Sequence, residues 1–470
     1  MKAPLVPESS YQFNHDLLDW GRNRRFWITT YGCQMNEHDS EILAGQLQQM
    51  GFEPADYLEQ ADLILLNTCA IRERAAEKTA GEIGRLKALK SVKPELMIGV
   101  CGCLAQVEEF VHMIKRQAPH VDLVFGTHNL HELPELIRRA QEEPEMVVDV
   151  WSQARETVEN LPKQRAEGVK AWVNIIYGCD KYCTYCIVPR TRGRERSRQP
   201  QHILEEVREL AEQGYKEITL LGQNVNSYGK DLGGDYDFAD LLADLEKIEG
   251  IRWIRYMTSH PRDFNEKLIE VLAASEKICE HVHLPVQSGS NQILKKMNRR
   301  YTREHYLSLI EMIREKLPHA SLTTDIIVGF PGETEADFQQ TLDLVEQVGY
   351  DNAYTFIYSP RPGTPAARWE DPTPEAEKKE RLNRLMDLQY AISRRHNEML
   401  VGKRMEVLIE GESKKDPLSY TARSRTNKLI HIPRAEGMEG KFATVEIDQA
   451  HTWTLRGRLV KEAVCQGSIS

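Results

Sequence analysis

The sequence predicts an α/β protein in three parts: a parallel α/β domain, a partial (β/α)6 barrel and a small C-terminal β-barrel. Three observations carry this. Short apolar runs alternate with helical patterns over 24–150 and again over 169–400. The second stretch holds six strand–helix units, which fits a partial barrel better than a closed eightfold one. Beyond residue 400 the pattern is all strand, with Gly and Pro in the turns.

In the first stretch, 26–29, 62–66, 97–100 and 121–125 read as strands, and 38–50, 71–90 and 107–117 as helices. Cys33, Cys69 and Cys103 sit just past three of the strands. In open α/β sheets ligands gather outside the carboxyl ends of strands, so three loops there can bring their thiols to one point. The plain alternative is three ordinary buried cysteines. Cys101 lies two residues before Cys103, on the same side if the strand continues. It is a rival ligand or a core residue.

Residues 151–168 are polar, lack apolar periodicity and read as a linker. Strands then follow at 171–176, 217–221, 252–257, 281–284, 321–327 and 352–356, separated by helices such as 203–213 and 336–348. The densest chemistry follows the first of them: Cys179-x3-Cys183-x2-Cys186, with no fourth Cys and no His adjoining. A structural zinc ion takes four protein ligands. Three thiolates suit a cubane iron–sulfur cluster with one iron left open to a substrate or cofactor. Barrel active sites lie at the carboxyl ends of strands, where this loop falls.

Arg190, Arg192, Arg194, Arg196 and Arg198 come next, at period two. An extended chain would put all five on one side, an edge suited to phosphates of RNA. A solvated loop with scattered ion pairs is the alternative.

Thr373-Pro374-Glu375 reads as a helix start, with Thr373 capping and Pro374 first in the helix, which runs to about residue 400. The tail, 401–464, holds strands at 405–410, 428–432 and 442–447, as in a small nucleic-acid-binding barrel. Over 401–470 there are 12 Lys and Arg against 9 Asp and Glu, a net of +3 in a chain of net charge −10. Arg423, Arg425 and Lys428 cluster on one loop as candidate RNA contacts, with a purely structural barrel as the alternative.

The bulk numbers set bounds. The chain has 470 residues, 41% hydrophobic and 28% charged, as in a globular protein of several domains. No run approaches the ~20 apolar residues of a membrane span. The first seven residues lack the apolar core of a signal peptide. A cytoplasmic enzyme with reduced thiols is the expectation, and nine cysteines, an odd number, argue against a disulfide framework.

The spacing of Cys179, Cys183 and Cys186 after the first barrel strand closely resembles the radical S-adenosylmethionine (SAM) superfamily. Thr30-Tyr31-Gly32-Cys33-Gln34-Met35-Asn36, Asn67-Thr68-Cys69 and Gly102-Cys103-Leu104-Ala105-Gln106 resemble the amino-terminal motifs of the methylthiotransferases. Gly222-Gln223-Asn224-Val225-Asn226-Ser227-Tyr228 and Asn298-Arg299-Arg300-Tyr301-Thr302 resemble the branch acting on tRNA, and the tail resembles a TRAM domain, an RNA-binding β-barrel. The likeness runs from about residue 24 to near the end. Two sister branches act on threonylcarbamoyl-adenosine in tRNA and on an aspartate of a ribosomal protein.

The resemblance implies two 4Fe–4S clusters. Cys179, Cys183 and Cys186 would hold the one that binds SAM; Cys33, Cys69 and Cys103 would hold an auxiliary one, with Cys103 preferred over Cys101. Tyr185, Gly222, Gln223, Asn224 and Gly329 fall at SAM-contacting positions, although the usual Glu of the glycine-rich stretch is replaced and Gly329 could simply make a turn. Arg190 stands where relatives often carry an aromatic residue, and Cys279 and Cys465 match no motif. The implied reaction adds a methylthio group to C2 of N6-isopentenyladenosine beside the anticodon, through a deoxyadenosyl radical and sulfur from the auxiliary cluster. Implied partners are the tRNA, an electron donor such as a flavodoxin, and a sulfur source or iron–sulfur carrier, with no membrane. A non-catalytic RNA-binding redox sensor is the reading of another class.

Overall fold

Strands covered on both faces read as unbroken apolar runs. Leu63–Thr68 (LILLNT) and Met97–Gly102 (MIGVCG) are such runs, buried at every residue. The computed structural model describes residues 8–71, 73–155, 157–165, 168–413 and 416–460. Two compact units are present. One runs through Gly250 and takes in Tyr256–Thr258 and Ser359–Trp369; the other holds Ile251–Arg255, Ser259–Tyr358 and the chain from Glu370 onward.

The first unit begins with β1 (Glu8–Ser10), then β2 (Arg25–Thr30), α1 (Gln34–Gln49), β3 (Glu53–Pro54), β4 (Leu63–Thr68), α2 (Glu73–Val92) and β5 (Met97–Gly102). It continues with α3 (Glu108–Gln117), β6 (Leu123–Phe125), α4 (Leu133–Glu142), β7 (Val147–Asp149) and β8 (Thr157–Glu159). Six of these strands form one parallel sheet in the order β3-β2-β4-β5-β6-β7. The expected strands and helices are present, with β3, α4 and β7 added. Ile64, Leu66, Ile98 and Val100 feed the core on one face; Leu63, Leu65, Leu123 and Phe125 feed the other.

The expected linker is partly structured. Within it β8 pairs in parallel with β1, and the Pro162 carbonyl packs so close to Gly45 that a Cβ there would meet it at 2.5 Å. Polar composition here marks a segment held by backbone pairing and ion pairs, with Trp151 buried at its start.

Next come β9 (Lys170–Asn174), β10 (Ile176–Tyr177), α5 (Val188–Thr191), β11 (Arg196–Ser197), α6 (Pro200–Glu212), β12 (Glu217–Leu221) and α7 (Phe238–Glu246). β9 and β12 pair in parallel. β10 and β11 pair antiparallel, Ile176 with Ser197 and Tyr177 with Arg196, and so close the base of the Cys loop.

β13 (Trp253–Tyr256) lies where the chain passes between units. The second unit holds α8 (Glu266–Ala274), β14 (His281–His283), α9 (Asn291–Lys296), α10 (Arg303–Lys316), β15 (Ser321–Val328), α11 (Glu335–Val348), β16 (Asn352–Ile357) and α12 (Glu375–Glu398). β14, β15 and β16 form a parallel sheet. α12 starts one residue later than expected. Pro374 is its N-cap, with extended backbone and no side-chain cap, rather than its first helical residue.

The tail is a closed barrel of β17 (Arg404–Ser413), β18 (Asp416–Ser424), β19 (Leu429–Pro433), β20 (Phe442–Ala450) and β21 (Leu455–Leu459), in the order β17-β18-β19-β21-β20. Alternate residues fill it: Val407 and Ile409, Tyr420 and Ala422, Ile430 and Ile432, Val445 and Ile447, with Leu455. Among the described residues no helix is long and apolar enough to cross a membrane.

Candidate metal centre

Cys33, Cys69 and Cys103 follow β2, β4 and β5, which are neighbours in the sheet. Their loops leave the same edge and are tied together. Tyr31 N–H donates to the Asn67 carbonyl at 2.8 Å. Asn36, in the first turn of α1, donates to the Thr68 carbonyl at 3.1 Å and accepts from Cys33 Sγ at 3.5 Å. Cys69 Sγ accepts from Ile71 N–H at 3.4 Å. Gly102, at φ +91°, brings the end of β5 against this corner; a Cβ there would meet Asn67 Oδ1 at 2.4 Å and the Thr68 carbonyl at 2.6 Å. Only glycine takes that backbone at that distance.

The same turn separates Cys103 from Cys101. Cys101 is fully buried and packs in the core on the face of Leu63 and Leu65, whereas Cys103 belongs to the core on the opposite face. The expectation that both point one way fails because Gly102 breaks the strand's period. Burial pushes the Cys103 thiol up to about 12; the Arg192 guanidinium opposes it, and the Cys69 and Cys33 thiols add to it. Cys69 and Cys33 thus lie close enough to act on Cys103.

Cys179, Cys183 and Cys186 lie in the loop between β10 and α5. Cys179 N–H donates to the Gly193 carbonyl at 3.1 Å, and Cys186 N–H to the Cys183 carbonyl at 3.0 Å. Burial raises the Cys179 thiol; the Lys181 amide opposes this, while Cys186, Glu195 and Cys183 reinforce it. Lys181 is buried and donates to Ser227 Oγ at 2.7 Å.

None of the eight described cysteines is in a disulfide. Among the described residues no three His, Cys, Asp or Glu are spaced for a single metal ion. A cubane sets its ligands farther apart, because each thiolate binds a different iron. Two sets of three interacting thiols fit that group. Cys279 is buried in the second unit, and Cys465 lies outside the described residues.

Gly222 follows β12, and a Cβ on it would meet Ile176 Cγ2 at 2.4 Å, so it lets the chain leaving β12 pass close to the base of the Cys loop. Gln223 Oε1 accepts from Gly178 N–H at 2.8 Å. Asn224 donates to Ser227 Oγ at 2.7 Å, and Tyr185 is half-buried. In the second unit Gly329, at φ +66°, donates its N–H to Glu333 Oε2 at 2.7 Å and packs on the Lys378 stem. The left-handed turn is thus a reason for this glycine in its own right.

The arginine row does not share one side. α5 and the turn after it interrupt the extended chain. Arg192 is 5% exposed and bonds to Asp39 at 2.6 Å and to Cys103. Arg198, 4% exposed, bonds to Glu159 at 2.8 Å and to Glu206 at 2.8 Å. Arg196 is half-buried over the Tyr177 ring. Arg194 is exposed but held by Asp180 through two bonds of 2.8 Å. Arg190 is exposed. The tail cluster is engaged in the same way: Arg423 with Glu410 at 2.7 Å, Arg425 with Glu280 at 2.8 Å and Lys428 with Asp351 at 2.6 Å. Burial and pairing, invisible in a pattern of charges, give most of these cations a carboxylate partner within the chain.

One contributor had no signal in spacing. The segment Ser359–Trp369 touches both Cys loops: Arg361 donates to the Ile71 carbonyl at 2.8 and 3.2 Å, and Ala366 N–H to the Thr184 carbonyl at 2.9 Å.

The Radical SAM superfamily matches residues 173–345, the uncharacterized protein family UPF0004 matches 25–126, and the TRAM domain matches 398–460. The tRNA-2-methylthio-N(6)-dimethylallyladenosine synthase of Geobacillus kaustophilus is 56% identical, covering 94% of this chain and 84% of its own. That of Oceanobacillus iheyensis is 55% identical, covering 97% and 88%. Among solved structures, the radical S-adenosylmethionine methyltransferase TsrM from Kitasatospora setae shares the fold, with a TM-score of 0.53 at 16% identity over 73% of this chain and 77% of its own.

Proposed function

The chain belongs to the family of tRNA-2-methylthio-N(6)-dimethylallyladenosine synthases, and from that premise we propose that it adds a methylthio group to C2 of N6-isopentenyladenosine next to the anticodon of tRNA. The observation that carries sulfur insertion, beyond radical chemistry in general, is the pair of thiol triads within one compact unit. Cys179, Cys183 and Cys186 would hold the cluster that binds SAM, and Cys33, Cys69 and Cys103 the auxiliary one. When bound, these groups supply the radical cleavage of an unactivated C–H bond and the sulfur that replaces the hydrogen.

The rest is the work of the chain. Gly222 admits the strand end beside the Cys loop, and Gln223 fixes the loop's first turn through Gly178. Tyr185 and Asn224 are proposed to face SAM; Gly329 is kept as a candidate on the resemblance alone. Burial of Cys69, Cys103 and Cys183 shields their sulfurs from water. The target base leaves its stack at low cost because its loop is single-stranded. Arg190 and Arg194 remain the exposed members of the row for phosphate contact. The domains in this proposal are the methylthiotransferase α/β domain at 24–150, a linker at 151–168, the radical SAM core at 169–400 and the RNA-binding barrel at 401–464. The reductant of flavodoxin type, the sulfur carrier and a cytoplasmic location, where tRNA resides, complete the proposal.

The test is mass spectrometry of nucleosides from tRNA treated anaerobically with reconstituted protein, SAM and reductant. The 2-methylthio derivative of N6-isopentenyladenosine is expected. Unmodified N6-isopentenyladenosine beside a methylthiolated threonylcarbamoyl-adenosine, or a modified ribosomal protein, would sink the assignment.

A further inference from the structure

We propose that Arg192 is a positioning residue of the second thiol triad: through its N–H···S bond to Cys103 it sets the reduction potential of the cluster held there. The proposal rests on the reading that Cys33, Cys69 and Cys103 carry a cluster.

Arg192 Nε lies 3.2 Å from Cys103 Sγ, and Nη2 lies 2.6 Å from Asp39 Oδ2. Arg192 is 5% exposed and Asp39 1%. Two nitrogens of one rigid guanidinium are thus used at once, Nε on a sulfur and Nη2 on a carboxylate. A lysine ammonium would satisfy Asp39 alone; it lacks the planar fork that spans both. The backbone fixes the reach, since Arg192 N–H donates to the Val188 carbonyl at 2.8 Å at the end of α5. The residue therefore comes from the segment that closes the other cysteine loop, while Asp39 comes from α1, the helix that Cys33 caps.

A donor on a cluster's cysteine sulfur, and a positive charge beside it, stabilise the reduced form and raise the potential. A nearby carboxylate does the reverse. Opposite signs follow for the two halves of the pair, which a scaffolding role would not produce.

The experiment uses the full chain with Cys179, Cys183 and Cys186 changed to Ala and reconstituted anaerobically, so that only the second cluster remains. Iron content and a potentiometric titration followed by electron paramagnetic resonance are measured with Arg192→Gln, Arg192→Lys and Asp39→Asn added singly. The background is expected to hold about four irons. Arg192→Gln shifts the potential negative, Arg192→Lys shifts it less because charge is kept, and Asp39→Asn shifts it positive. If Arg192→Gln loses its iron, the sign of the Asp39→Asn shift decides. Shifts of one sign, or no shift at matched iron content, overturn the role of Arg192. An iron-free background overturns the cluster reading itself, whatever Arg192 does.

Discussion

Asn36 and Asn67 hold each other reciprocally: Asn36 Nδ2 donates to Asn67 Oδ1 at 3.0 Å, and Asn67 Nδ2 donates to the Asn36 carbonyl at 2.7 Å. Both are fully buried. The pair sews the Cys33 turn to the Cys69 turn, so a defect in it acts on two ligand positions together.

Asn67→Ala leaves buried polar groups without their partner, which costs about 1–3 kcal/mol. A lower denaturation midpoint is expected, together with loss of up to half the iron in reconstituted protein. An unchanged iron content would mean that the thiols find each other without the brace.

Arg361→Ala removes two exposed bonds to the Ile71 carbonyl, at a cost of about 1 kcal/mol or less. The change should therefore be local. Hydrogen exchange in the peptide spanning Cys69 and Ile71 should quicken while the barrel strands β17 to β21 keep their protection.

The buried and exposed arginines should separate cleanly. Arg198→Ala strands the buried Glu159, while Glu206 keeps Lys163 and Arg165, and should destabilise by about 3–5 kcal/mol. Replacing Arg190 and Arg194 with Ala should leave stability nearly unchanged. It should flatten the salt dependence of tRNA binding by less than about two units of slope, since Arg194 already pairs with Asp180.

Glu333 gives a pH signature. Burial raises its carboxyl from 4.5 to about 7, against the Gly329 amide and Arg381. The folded state thus binds the proton more tightly than the unfolded one. This contribution is full below about pH 4.5 and is lost as pH rises through about 7. Resistance to denaturant should fall across that window, and Glu333→Gln should flatten the fall.

The strands were legible because apolar runs and periods are local properties, and the ligand cysteines because their spacing is. β18 and β21 escaped: one opens on Asp416-Pro417 and the other reads Leu-Arg-Gly-Arg-Leu, so neither shows a continuous apolar run. The arginine row misled for a related reason. Period two was real, but the acids that claim Arg192 and Arg198 lie 153 and 39 residues away, at Asp39 and Glu159. A one-dimensional pattern of charge does not contain that information. Likewise the string does not show that Gly102 turns with positive φ, which sends Cys101 and Cys103 into the cores on opposite faces of the sheet.

The C-terminal barrel is shut by its shortest pairing, β19 with β21, where only Ile430 with Leu455 and His431 with Arg456 are in register. A closed ring of strands offers no unpaired edge to another chain. It cannot add a partner strand without first tearing, and this two-residue seam is where a tear would start. Self-association of the tail, if it is provoked by heat or truncation, should therefore begin as an unzipping at one known place.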